Sequence, residues 1–145
     1  MTRDSTVTRN STVIVRDQGF ASEDWQGDFT ALEDATDGTT ALDMPADADP
    51  DAVPLAGLQI IRIPFASFAD GRGFTLARRL RLRGYTARLR ASGHVIADQY
   101  AMARRAGFDE VEISAEIAAR QPEDQWLARA NWQAHDYQAR LRGTA

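Results

Sequence analysis

Two short stretches hold residues whose types and spacing could do chemistry: Asp70-Gly71-Arg72-Gly73 and Ser92-Gly93-His94. The first places a carboxylate and a guanidinium on a loop whose glycines allow close backbone approach. A loop of this kind can hold an anion through backbone N–H groups, a helix dipole and a fork-shaped arginine. Its spacing is neither a phosphate-loop nor a dinucleotide fingerprint. The competing reading is a tight turn in which Asp70 caps the next helix and Arg72 pairs with a neighbouring acid. In the second stretch, His94 could donate a proton near neutral pH. A nucleophilic set of Ser92, His94 and Asp98 is disfavoured, because no strained elbow surrounds the serine.

Arg90 precedes the second stretch on an apolar run and must be paired if buried. By position, Asp98 is its expected partner and Asp70 the second. One arrangement has Arg90 and Asp98 orienting a site made by Arg72 and His94; the other is an internal ion pair. Gln99 is expected to face the loops and Tyr100 the core. Two histidines, His94 and His135, show no metal-ligand spacing, so no dedicated metal site is expected.

The bulk composition narrows the chemistry further. The 145-residue chain has no cysteine, which removes disulfides, thiolate metal sites and cysteine nucleophiles. It also has no lysine, which removes a Schiff base and a phosphate-loop lysine. No redox centre or cofactor motif is visible. No apolar run is long enough to cross a bilayer and no leader opens the chain, so a cytoplasmic protein is expected.

Charge is uneven: residues 1–53 carry three arginines and twelve acids, whereas residues 54–109 carry ten arginines and three acids. Such a basic segment pairs with its own N-terminal region, binds an anion, or meets an acidic protein. Nucleic acid is not an expected partner, since the whole chain is acidic and shows no aromatic-basic recognition motif.

The elements that must position these residues follow from periodicity. Leu58–Phe65 and Thr86–Ala91 read as strands, and Glu110–Ser114 as a third. Helix one runs from Gly73 or Phe74 to Gly84, with Leu76, Ala77 and Leu80 inward and Arg78, Arg79, Arg81 and Arg83 mostly outward. Helix two covers Val95 to Ala106 and stops at Gly107. A last helix follows Pro122, with Leu127, Ala130, Ala134, Tyr137 and Leu141 on one stripe; Trp126 and Trp132 are assigned to core packing, and self-association through them is left open.

Val13–Val15 forms a short strand and turn closed by Trp25, and Ala41–Pro45 reads as an edge strand within an acidic connection. The fold class is therefore α/β, a βαβαβα parallel sheet able to curl into part of a barrel, with a small N-terminal β unit. Residues 1–53 hold that unit and the acidic connection, residues 54–145 the α/β core, and together they make one structural domain.

The run PFASFADGRGFTLARRLRLRGYTARLRASGHVIADQ at 64–99, followed by RRAGFDEVEI at 104–113, resembles bacterial domain-of-unknown-function family 934. The resemblance extends to Asp24-Trp25, to LDMPADADPDAV at 42–53 and to Tyr137-Gln138. It marks Asp70, Gly71, Arg72, Gly73, Arg78, Arg90, Gly93, Asp98 and Gln99 as matching positions; His94 lies outside the quoted pattern. Members of that family are encoded beside sulfite reductase and labelled probable oxidoreductases of sulfite reduction. The resemblance thus implies an accessory protein of assimilatory sulfite reduction that docks on sulfite reductase or its electron donor, with the arginine-rich face of helix one as the docking surface. The alternative it leaves open is an anion-binding or catalytic α/β domain with Arg72, Arg90 and His94 around a sulfite-, sulfate- or phosphate-like group.

Overall fold

Alternation of side chains in the central strands decides how the sheet is covered. In RLRASG at 88–93 and EVEIS at 110–114 apolar residues alternate with charged or small polar ones, and in IIRIPF at 60–65 Arg62 sits between Ile61 and Ile63. Each strand therefore offers one face to a core and one to ion pairs. The computed structural model describes residues 12–52 and 54–132.

The elements are β1 (Thr12–Arg16), β2 (Gly19–Ala21), β3 (Thr30–Ala31), β4 (Ala41–Asp43), β5 (Ile60–Phe65), α1 (Arg72–Leu82), β6 (Arg88–Gly93), α2 (Tyr100–Ala106), β7 (Glu110–Ser114), α3 (Ala115–Arg120) and α4 (Glu123–Leu127). One seven-stranded sheet has the order β2-β1-β7-β6-β5-β4-β3. Strands β3 to β7 are parallel, and β1 runs antiparallel to β7 and β2. The sheet is open and does not close into a barrel.

Each parallel step goes to the next neighbour, so right-handed crossovers put α1 and α2 on the same face. There Leu42, Ile61, Ile63, Phe65, Leu89, Ala91, Val111 and Ile113 pack against Phe74, Ala77, Leu80, Tyr100, Ala103 and Phe108. At the start of α1 the ring of Phe65 lies 5.0 Å from that of Phe74 and 5.9 Å from that of Phe108. The helix ends at Gly84, whose φ of 103° lets Tyr85 N–H reach the Leu80 carbonyl.

Several expectations are sharpened or overturned. The second strand begins at Arg88 rather than Thr86 and runs through Gly93, because the Ala87 carbonyl is taken by Arg81 Nη1 at 2.7 Å. The first strand starts at Ile60. Helix two is shorter, a 3-10 turn at Ala97–Gln99 leading into α2. Strand β4 is not the edge; β3 flanks it, in a segment read as a plain connection. Helix α3, held at its start by Ser114 Oγ accepting from Ile117 N–H at 3.1 Å, is an additional element between β7 and α4.

Arg81 is not an outward residue. It donates to the carbonyls of Tyr85, Ala87 and Gly107 and to Asp109, clipping both helix ends to the sheet. On α4 it is Trp126, 1% exposed, that enters the core, while Leu127 is exposed. Ala134, Tyr137, Gln138, Leu141 and His135 lie outside the described residues.

Candidate functional site

Both glycine-bearing loops leave the carboxyl edge of the parallel sheet, the usual place for ligands in such sheets. Asp70 accepts from Arg72 at three donors, its N–H at 3.1 Å, Nε at 3.0 Å and Nη2 at 3.1 Å. That carboxylate–arginine pairing holds the Asp70 carboxyl below its ordinary range. Gly73 is required by packing: a Cβ there would lie 2.5 Å from Cζ of Phe65. Gly93 has φ of 94°, and a Cβ would lie 2.8 Å from the Phe65 carbonyl oxygen. Gly71 faces open space.

The two loops are stitched together through Phe65 and Phe68. His94 N–H donates to the Phe65 carbonyl at 3.1 Å, and the His94 ring meets Phe68 edge-on at 5.4 Å. Gln99 does face the loops: its Nε2 donates to the Phe68 carbonyl at 2.7 Å and its Oε1 accepts from Ile96 N–H at 3.0 Å.

Arg90 does not pair with Asp98 or Asp70. Its side chain leaves β6 on the face opposite α1 and α2, where Nε meets Glu110 at 2.7 Å and Nη1 meets Glu23 at 2.6 Å and Glu112 at 3.0 Å. Asp98 is exposed and pairs with Arg129 at 2.6 Å. The reason is parity: Arg90 is in phase with Arg88 and Ser92, whereas Asp98 belongs to the helix layer. The structure therefore does not bring Arg72, Arg90 and His94 around one point; Arg90 lies beneath the sheet, fully buried.

Strand register aligns Asp43, Arg62, Arg90 and Glu110 in one row across four strands. Arg62 Nε and Nη2 bind Asp43 at 2.6 and 2.8 Å, and Nη1 reaches Glu112 at 3.3 Å. Arg16 and Arg88 close on Glu110 and Asp24. Segment 22–29 covers the row: Glu23 grips Arg90, and the Phe29 ring lies 4.0 Å from the Arg62 guanidinium. Burial alone would push the Glu110 carboxyl up, but Arg90, Arg88 and Arg16 outweigh it and hold it below its ordinary value. Glu23 and Asp24 are lowered the same way, each by its arginines against burial. The signal for this row was present in the sequence as charges of equal parity on three strands.

The row ends in a cleft of about 490 Å³ at the carboxyl ends of β5, β6 and β7. It is lined by Arg62, Asp43 and Glu112, by Ser92, Gly93 and Ser114, and by Leu32 and Glu33. Among the described residues no cluster of three or more His, Asp or Glu is placed to hold a metal ion, and no helix is long and apolar enough to cross a membrane.

Of the ten arginines in residues 54–109, Arg62, Arg72, Arg81, Arg83, Arg88, Arg90 and Arg104 have carboxylate partners. Arg78 and Arg79 on α1 and Arg105 on α2 are exposed and have none among the described residues.

Residues 40–145 match the family described as a bacterial protein of unknown function (DUF934). No curated protein and no solved structure matches the chain.

Proposed function

The chain belongs to the DUF934 family of bacterial proteins of unknown function, and on that premise we propose that it is an accessory protein of assimilatory sulfite reduction that docks on sulfite reductase or its electron donor. The pathway rests on the family resemblance. The mode of action rests on one observation: the basic segment neutralises seven of its arginines internally and leaves Arg78, Arg79 and Arg105 on the outer faces of adjacent helices. Cations kept free on neighbouring helices steer and orient an acidic partner. The exposed Leu82 and Met102 on the same two helices add apolar contact area.

The test is genetic. A strain lacking the gene should grow on cysteine but poorly on sulfate, and the wild-type gene should restore growth on sulfate. An Arg78→Glu/Arg79→Glu variant should fail to restore it while accumulating to normal levels. Normal growth of the deletion strain on sulfate would sink the pathway, and full rescue by the variant would sink the docking face.

A further inference from the structure

We infer that the cleft at the carboxyl edge is a binding site for a small molecule carrying an ammonium or amidinium group on an apolar body. The charged row beneath the sheet is sealed by segment 22–29, leaving Arg90 0% and Glu110 2% exposed. Beside it, where β5, β6 and β7 end, the about 490 Å³ cleft stays open, enough for a ligand of modest size.

Its hydrogen-bonding inventory is one-sided. Both arginine contacts of Glu112 fall on Oε1, leaving Oε2 without a donor among the described residues, although the side chain is only 14% exposed. The half-buried Ser92 hydroxyl and the exposed carboxylate of Glu33 also have no partner among the described residues. Three carboxylates, Glu33, Asp43 and Glu112, line the cleft against the guanidinium of Arg62, whose charge Asp43 already balances, while Arg90, which also reaches Glu112, is buried below and shared with Glu23 and Glu110. An anion entering here meets net negative charge, whereas an N–H-bearing cation meets vacant acceptors. Leu32, Pro45 and Pro64 line the remainder and fit an apolar body.

The probes are benzamidine and n-butylamine, titrated into the full chain and followed by amide NMR, with sulfite and sulfate as controls. A fragment of this size should saturate at about millimolar concentration, shifting the amides of Ser92, Gly93 and Ser114. Glu33→Gln and Ser92→Ala each remove one contact without touching the arginine row, so the rest of the spectrum should report an unchanged fold. Each should weaken binding by about tenfold. The inference is overturned if neither cation saturates these amides, if the shifts centre elsewhere, if both variants bind as wild type, or if sulfite or sulfate saturates the site instead. The docking reading is unaffected by any of these results, since its cations lie on the helix face.

Discussion

Glu110 is the buried carboxylate shared by Arg16, Arg88 and Arg90, so its removal takes a counter-charge from all three at once. Glu110→Ala should therefore lower unfolding free energy by about 3–5 kcal/mol in a urea titration. Asp98→Ala, which breaks only an exposed pair with Arg129, should stay within about 0.5 kcal/mol of wild type. Equal effects would mean that Arg90 is not held as described. The same row predicts the response to acid. Glu110, Glu23 and Asp24 have folded-state pKa values below their unfolded ones, so the unfolded chain binds more protons as pH falls. Their stabilisation is complete above the ordinary carboxyl range and is lost as pH drops below about 4.5, the unreduced value for Glu110. Glu110→Gln should flatten that acid limb; an unchanged slope would contradict the assignment. At the loop, Gly73→Ala forces a methyl against Phe65 and should cost about 1–3 kcal/mol. Gly71→Ala meets open space and should be near neutral, within about 0.5 kcal/mol.

At the scale of elements, Arg81 joins three: α1, on which it sits, the carbonyls that lead into β6, and Gly107 at the end of α2. Arg81→Met keeps the aliphatic stem but leaves these carbonyls without their donor. Thermal unfolding should show a loss of about 2 kcal/mol or more, and a smaller change would mean that water replaces the clip. This residue also shows where sequence reading stops. Helical spacing placed Arg81 among the outward arginines, because periodicity reports a face and not the reach of a long side chain. The strand Glu110–Ser114 and the end of α1 at Gly84 were legible, since parity and a left-handed glycine are local properties. Strand β3, two residues long, carries no periodic signal of its own and is defined only by its pairing with β4. The partners of Arg90 escape sequence reading for a related reason. Asp98 is near in sequence, whereas Glu23 and Glu110 are 67 and 20 residues away and meet Arg90 only through strand order. The two glycine-bearing loops share one sheet edge because β5 and β6 are parallel, whereas the cleft on the opposite face is built by residues from separate strands and loops and has no local signature.

On the scale of the whole molecule, the charge asymmetry of the chain is largely consumed by folding. Acids of the N-terminal part reach over the basic segment at Glu23, Asp24, Asp43 and Asp51, and Asp17 joins Arg104 to Tyr100. What remains is a patch of cations on the two outer helices, separated by the sheet from an acid-lined cleft. Docking through that patch should be salt-dependent, because exposed charges are screened within about 10 Å at 0.1 M salt. The most direct measurement is a binding isotherm between the full chain and purified sulfite reductase, with its electron donor present and absent. The wild-type chain should bind at low ionic strength and weaken with added salt, and Arg78→Glu/Arg79→Glu should bind at least about tenfold more weakly. No binding by the wild-type chain to either protein, or an affinity indifferent to both salt and charge reversal, would contradict the account.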